Sequence, residues 1–322
     1  MKISMTEKPQ HLLFVLVVCL TAALAVSCSK VPADDDPGDK VEFNDTYICD
    51  VRSAVREDGF LSGDAIGVMA YYVPSGDSWE SYKAEAKPDF MYNQKVSYDG
   101  RSWSYAPVMY WPQDPGACVN FYAYFPWDVG TSQTGVKVSS KEVTGEPYFN
   151  FILNDAADVD LMVAEAEGMT AGSVGLPFRH VLGKLRFCFK VDRQTGFSYV
   201  VNKIKVLQTP KEAEYRWDDG TFTVLSTTPV EASAGVDGSG HLIDSTEPVL
   251  VDAFTMYLMP GSLGWIQVSV NNVPSAELDL SSVMLESGKQ TTITMTINLS
   301  GIQYTTSVQP WTVVGSASGN IS

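Results

Sequence analysis

The chain has 322 residues, of which 45% are apolar and 19% charged, and its formal net charge is −16. Apolar content at this level is typical of a globular protein rather than a disordered one, and the length suits about two domains. Because so acidic a surface repels phosphate backbones, nucleic acid is not expected among the partners.

The chain begins with a pattern that is typical of an export signal. Two lysines precede an apolar run at residues 12–26, which is short for a membrane span of about 20 residues. The run leads into the letters AVSC, so residues 1–27 are predicted to be a lipoprotein signal, with Cys28 as the acylated residue. The alternative is an ordinary signal peptide that is cut near Ala25.

Residues 28–40 are polar and rich in Pro, Gly and Asp, which predicts a flexible tether between a membrane and the folded part. Cys49, Cys118 and Cys188 follow the tether. An odd number of thiols excludes a complete disulfide framework, and no cluster of Cys and His has the spacing of a metal site.

From about residue 41 onward, apolar and polar residues alternate with the period of half-buried strands. Turn-forming Gly, Pro and Asp residues recur between these stretches, which favours antiparallel β-sandwiches. A break in the pattern near residue 168 predicts two domains, at residues 41–168 and 169–322. The clearest predicted strands lie at residues 118–125, 184–191, 265–270 and 292–299.

The aromatic stretch at residues 107–127 admits two interpretations. A preceding strand is predicted to close at residues 110–112. On the next strand, Tyr122 and Tyr124 lie opposite the apolar positions, where they would form either an aromatic binding surface or a second packed layer. The positions on the other face are predicted to be core, and they are Val119, Phe121, Ala123 and Phe125.

Catalytic constellations are not found in the sequence. After the signal only His180 and His241 remain, and the common nucleophile, phosphate-loop and zinc-protease motifs do not occur. The chain is therefore predicted not to be an enzyme, with no catalytic, cofactor-binding or metal-binding residue. His180 is predicted to be a structural histidine with satisfied hydrogen bonds.

Four segments, in this order, resemble motifs of the fimbrillin family, the type V pilins and their relatives. The resemblance covers nearly the whole chain after the tether, and it implies an all-β fold of two transthyretin-like antiparallel β-sandwiches in tandem. The segments are FLSGDAIGV at 60–68, MYWP at 109–112 with VNFYAYFP at 119–126, DLMVA at 160–164 with LPFRHVLGKL at 176–185, and Gly301-Ile302 with Pro310-Trp311.

The resemblance also implies a route of assembly. The subunit would be exported as an outer membrane lipoprotein precursor, and an Arg-directed protease would remove the first strand. Arg52, which we prefer, and Arg56 match the position of processing. The groove that opens would accept the C-terminal strand of another subunit. Residues 307–322 match that donor strand, with apolar positions Val308, Trp311, Val313 and Val314.

The resemblance thus implies a structural subunit of a cell-surface fimbria. Its partners would be other fimbrial subunits, the maturation protease and, before processing, outer membrane lipid through Cys28. One alternative is a non-polymerising anchor or tip adhesin of the same fimbria, with an intact N-terminus or with a C-terminal strand that is not exchanged. The other is a surface lipoprotein that binds glycans through aromatic residues, such as Tyr71, Tyr72, Trp79 and Trp127.

Overall fold

The structure is a computed structural model that describes residues 38–49, 59–128, 134–193, 196–226, 228–235 and 240–311. These residues form 24 β-strands, the short helix α1 at Trp79–Tyr82 and a 3-10 turn at Asp252–Phe254. The prediction of an all-β protein is confirmed. Within the described ranges, no helix is long and apolar enough to cross a membrane.

The first half of the described chain contributes nine strands. The strand predicted at residues 118–125 is present as β5 with the same bounds. The strands are β1 Tyr47–Ile48, β2 Ala65–Val73, β3 Met91–Tyr98, β4 Trp103–Ser104, β5 Cys118–Phe125, β6 Val136–Val138, β7 Tyr148–Ile152, β8 Met162–Met169 and β9 Pro177–His180.

The second half contributes fifteen strands, and β10, β19 and β23 are those predicted near residues 184, 265 and 292. The strands are β10 Gly183–Val191, β11 Tyr199–Pro210, β12 Glu212–Arg216, β13 Phe222–Val224, β14 Pro229–Gly235, β15 His241–Ile243, β16 Val249–Leu250, β17 Met256–Leu258, β18 Gly261–Ser262, β19 Trp265–Val270, β20 Val273–Pro274, β21 Leu278–Asp279, β22 Met284–Leu285, β23 Lys289–Asn298 and β24 Gly301–Pro310.

A seven-stranded sheet in the order β1-β9-β8-β5-β2-β3-β4 holds most of the first half. Its central strand β5 is buried on both faces. Val119, Phe121 and Ala123 belong to one core cluster, against which Phe125 packs. The predicted core positions are confirmed, because side chains of a strand alternate between its two faces.

A four-stranded sheet in the order β13-β12-β7-β6 belongs to a second core cluster, together with the other face of β5. Phe149 of β7 stacks on Tyr215 of β12, with ring centroids 5.1 Å apart. Because β7 precedes residue 168 and β12 follows it, this sheet joins the two predicted halves. The bonds between β8 and β9 also cross that position, and the boundary stays a prediction.

Two further sheets form a sandwich in the C-terminal half. One has the order β16-β10-β23-β24 with β17 beside β10, and the other has the order β14-β11-β19-β20 with β15 and β21 beside it. Phe187 and Ile293 of the first sheet and Ile204 of the second are fully buried. The strand pairs are antiparallel as predicted, except that β10 runs parallel to β23 and β1 to β9.

The segment before β5 is not a strand, so the prediction of a strand closing at residues 110–112 is wrong. Tyr110 forms an isolated bridge with Lys40, and the indole of Trp111 packs on Phe121 and donates to the carbonyl of Gly172 at 3.1 Å. The indole thereby anchors a loop across the sheet. Prolines around it lack the N–H that a ladder requires, which explains the difference.

Candidate assembly sites

Residues 39–49, here called the N-terminal segment, are hydrogen-bonded along both edges. On one edge the N–H of Val41 donates to the carbonyl of Met109 at 2.9 Å, and on the other the N–H of Tyr47 donates to Leu176 at 3.1 Å. The segment therefore lies between two parts of the chain. Three further backbone bonds continue the edges, from Trp111 to Asp39, Val174 to Glu42 and Cys49 to Phe178, at 2.9, 2.7 and 2.6 Å.

The apolar side chains of the N-terminal segment enter the core. Val41 and Phe43 are each 1% exposed, and Ile48 is 7% exposed. The ring of Phe43 meets Phe121 of β5 edge-on, with centroids 5.9 Å apart. On its other side Tyr105 packs against Phe43 and donates its hydroxyl to the carbonyl of Val41 at 2.8 Å. The segment thus closes the core over β5.

The C-terminal strand β24 is held differently. It pairs with β23 along its whole length, from Lys289 opposite Pro310 to Asn298 opposite Gly301, and in the described part of the chain no other strand pairs with it. Every residue of β24 is half-buried or exposed, including Val308 at 47%. The next residue, Trp311, is only 4% exposed.

Several predicted site residues lie outside the described ranges. Arg52 and Arg56 lie between Cys49, the last residue of the N-terminal segment, and Gly59, the first residue of the next range that the structure describes. A cut after either arginine would separate the segment from the rest of the chain. The predicted lipidation residue Cys28 and the predicted donor positions Val313 and Val314 also lie outside the described ranges.

His180 is a structural histidine, as predicted. It is 8% exposed, and its Nδ1 lies 2.8 Å from Oδ1 of Asp160. Burial raises the pKa of the thiols of Cys118 and Cys188, so both are poor nucleophiles at neutral pH.

The aromatic face of β5 is a packed layer, and the interpretation as a binding surface is wrong for its two tyrosines. Tyr122 is 3% exposed and Tyr124 is fully buried, because Trp217, which directly follows β12, and Phe149 of β7 cover them. Tyr71, another glycan-binding candidate, is 1% exposed. None of the three can offer its ring to a sugar.

Other residues at these sites were missed in the sequence. Tyr105 and Met109 hold the N-terminal segment, and Tyr257 and Gly288 contact Trp311. Only Gly288 carries a local signal, since it follows Glu-Ser in a turn-like stretch before a strand pattern. The contacts of the others depend on the tertiary fold rather than on local pattern.

The sequence itself matches a known protein family. The sequence matches the family described as Fimbrillin-like over residues 52–311, which is more than half of the chain. This chain belongs to the fimbrillin-like family. The match begins at Arg52, so the N-terminal segment lies before the matched region.

Relatives of this fimbrillin-like chain agree with that assignment. It is 26% identical over 202 residues to the fimbrium subunit Fim1C of Phocaeicola vulgatus, covering 56% of this chain and 52% of the relative. The chain thus spans about half the length of that curated relative.

Solved structures show the same fold. A crystal structure of a fimbrial protein from Bacteroides vulgatus has a TM-score of 0.62 at 19% identity, covering 85% of this chain and 99% of that chain. A structure from Bacteroides uniformis, named for cell adhesion, has a TM-score of 0.56 at 21% identity, with coverage of 86% and 100%. At these identities the likeness establishes the fold alone.

Proposed function

We propose that this chain is a structural subunit of a cell-surface fimbria, exported as an outer membrane lipoprotein precursor and matured by proteolysis near Arg52. Assembly then proceeds by strand exchange between subunits. The partners are other fimbrial subunits, the maturation protease and, before processing, membrane lipid through Cys28. The protein acts by binding its neighbours and catalyses no reaction.

The observation that carries this proposal is the placement of the N-terminal segment. It precedes Arg52 in the chain, yet it supplies Val41, Phe43 and Ile48 to the core. Its loss would leave two unpaired edges, around Met109 and Leu176, with an apolar floor between them. A groove of that kind accepts an extended strand, because the strand satisfies both the backbone groups and the apolar positions.

The energies involved fit a stable joint between subunits. Three buried apolar side chains contribute roughly 5–9 kcal/mol, at about 1.5–3 kcal/mol each. Each backbone bond that the incoming strand restores adds about 1 kcal/mol. Part of this gain offsets the cost of ordering and association, and the remainder favours a long-lived contact.

A second candidate function is a non-polymerising anchor or tip adhesin of the same fimbria. One observation favours it, since β24 is fully paired with β23 in its own subunit and Trp311 is buried there. A subunit that keeps its C-terminal strand would occupy an end of the fimbria. The two candidates differ in whether that strand leaves after processing.

The proposal is tested on protein from residue 29 onward, treated under native conditions with an Arg-specific protease. Intact mass reports the cut, and size-exclusion chromatography with light scattering reports the oligomer. We expect cleavage at Arg52 and then higher oligomers. Cleavage without oligomers would favour a tip or accessory role. Resistance of both arginines would overturn the maturation step and favour the anchor or the glycan-binding lipoprotein.

Matched variants identify the processing position. Arg52→Lys preserves the charge but removes the protease site, and Arg56→Lys does the same four residues later. We expect the first to block both cleavage and oligomers, and the second to leave them unchanged. The reverse pattern would move processing to Arg56.

A further inference from the structure

The indole of Trp311 occupies a slot just beyond β24. It stacks on His180 with ring centroids 3.6 Å apart and planes 12° apart, and on Tyr257 with centroids 5.4 Å apart and planes 17° apart. Nζ of Lys184 lies 5.0 Å from the centre of the indole, over its face. Ring stacking and a cation over the face both favour an indole at this position.

The slot is built by elements other than β24. His180 ends β9 and is paired with Asp160, and the N–H of Tyr257 in β17 donates to the carbonyl of Ala157 at 2.6 Å. Since each wall is fixed by its own contacts, the slot does not depend on the strand whose end it holds.

The floor of the slot is the loop at Gly288. Its carbonyl accepts the N–H of Trp311 at 3.3 Å, and its own N–H donates to Leu182 at 3.0 Å. Gly288 has φ +65°, and a Cβ there would lie 3.2 Å from the carbonyl oxygen of His180. A glycine therefore lets the loop approach the slot closely.

Besides its ladder with β23, β24 is held by the hydroxyl of Tyr304, which donates to the carbonyl of Asp279. Of its side chains, Ile302 and Tyr304 pack partly against the core, whereas all residues from Thr305 to Pro310 are exposed. Trp311 is thus the buried side chain that fixes the C-terminal half of the strand.

The slot also adjoins the region that processing would open. The N-terminal segment pairs with β9 at Pro177 and Phe178. His180 follows Phe178 by two residues and shares its buried face. The proposed groove and the slot for Trp311 therefore lie on one strand.

We propose that Trp311 is a latch that holds the C-terminal strand on its own subunit, and that strand exchange requires the indole to leave the slot of His180 and Tyr257. The second part rests on the proposed function. The first part concerns the free subunit and stands without it.

Hydrogen exchange measured by mass spectrometry on intact protein from residue 29 onward tests the latch. In Trp311→Ala, we expect amides of β24 to exchange about tenfold faster or more, since removing a buried aromatic side chain lowers the cost of local opening. Amides of β3, whose buried Met91 and Val96 belong to the other core cluster, should keep their wild-type rates. If the amides of β24 in Trp311→Ala exchange at the wild-type rate, the proposal that Trp311 is a latch is overturned.

Two further variants keep the test decisive. Val308→Ala, on the exposed part of the same strand, is the matched control and should leave exchange in β24 unchanged. Tyr257→Ala removes one wall of the slot while Trp311 stays, so it should speed exchange in β24 by a smaller factor. If Trp311→Ala fails to fold, unchanged exchange in Tyr257→Ala would overturn the proposal.

Mixing variants with Arg-protease-treated protein separates the latch from the proposed function. If both hold, Tyr257→Ala, which opens the slot without changing the donor strand, should form mixed oligomers faster than the wild type. Faster exchange in β24 with no oligomers in any variant would uphold the latch and refute assembly by strand exchange. Oligomers that form at equal rates in Tyr257→Ala and in the wild type would show that the latch does not limit assembly, overturning its second part.

Discussion

The N-terminal segment and β24 are both peripheral, but the first is bonded along two edges and the second along one. The segment buries Val41 and Phe43 almost completely. β24 is longer, yet its side chains are half-buried or exposed, and the buried Trp311 comes only after it. The number of residues in a strand is therefore a poor guide to how firmly that strand is held in the subunit.

The N-terminal segment and β24 therefore differ in how each could leave the subunit. To leave intact, the N-terminal segment must break bonds on both edges and expose apolar side chains at once, so a cut in the backbone suits its removal. β24 can separate from β23 progressively, from an end that one indole fixes. The N-terminal segment, called the plug from here on, fills the core between two edges, whereas under the proposed function β24 is the strand that would be released.

The largest expected effect comes from the plug. Phe43→Ala should lower the free energy of unfolding by about 3–5 kcal/mol, because it removes a buried aromatic side chain that contacts Phe121 and Tyr105. Urea denaturation followed by tryptophan fluorescence measures it. Tyr47→Ala in the same segment is the control, since that side chain is 52% exposed. Similar losses in both variants would contradict the deep anchoring of the segment.

Alkaline pH should loosen the packed layer between the four-stranded sheet and β5. Burial raises the pKa of Tyr215 to about 12, whereas the pKa of an unfolded tyrosine is about 10. The stabilising contribution is complete below pH 10 and is lost as the pH rises toward 12, because the unfolded state ionises first. A difference of about two units corresponds to roughly 2–3 kcal/mol.

Stability measured from pH 9 to 12 checks this expectation. Tyr215→Phe lacks the ionisable group and should lose less stability over that range than the wild type. Tyr47→Phe, which changes an exposed tyrosine, should follow the wild type. A Tyr215→Phe curve parallel to the wild type would place the alkaline sensitivity elsewhere.

The alternation of apolar and polar residues predicted those strands whose positions depend on the local sequence. The bounds of β5 follow from strict alternation in CVNFYAYF, and the same signal marks β10, β19 and β23. The resemblance implied a removable first strand before Arg52, but the residues of the plug alternate poorly and gave no clear strand signal of their own. Its two-edged bonding depends on Met109 and Leu176, which are far away in the sequence, so no local signal contains it.

The position of Trp311 shows the same limit. Its place near the C-terminal end matched a donor strand by resemblance, but the slot of His180 and Tyr257 depends on how β9 and β17 meet. The sequence also left open whether Tyr122 and Tyr124 bind a ligand or pack. That choice depended on Phe149 of β7 and on Trp217 in the turn after β12, both distant from β5 in the sequence.

A smaller effect is expected from a substitution in β23 that should stabilise the pairing of β24 with its own subunit. Thr291 of β23 is fully buried, pairs with Val308 and has a side-chain oxygen without a hydrogen-bond partner. Thr291→Val should raise the free energy of unfolding by about 1 kcal/mol, because the buried hydroxyl is removed at similar volume. Urea denaturation measures it, with Thr292→Val as control on the half-buried opposite face. A loss of stability would mean that the hydroxyl has a partner.

The smallest effect on the free subunit is expected at Val308, and it separates plug from released strand most directly. Val308 is 47% exposed, so Val308→Ala should change the free energy of unfolding by about 0.5 kcal/mol or less. If β24 enters the groove of another subunit, the same side chain becomes buried, and the joint should weaken by about 1–2 kcal/mol.

Comparing urea midpoints of free subunits with those of protease-treated oligomers would measure both quantities. If Val308→Ala leaves the urea midpoint of the free subunit unchanged but lowers that of the oligomer, Val308 is a donor position. Equal small effects in both states would mean that the strand stays at home, in which case the anchor or tip role takes precedence.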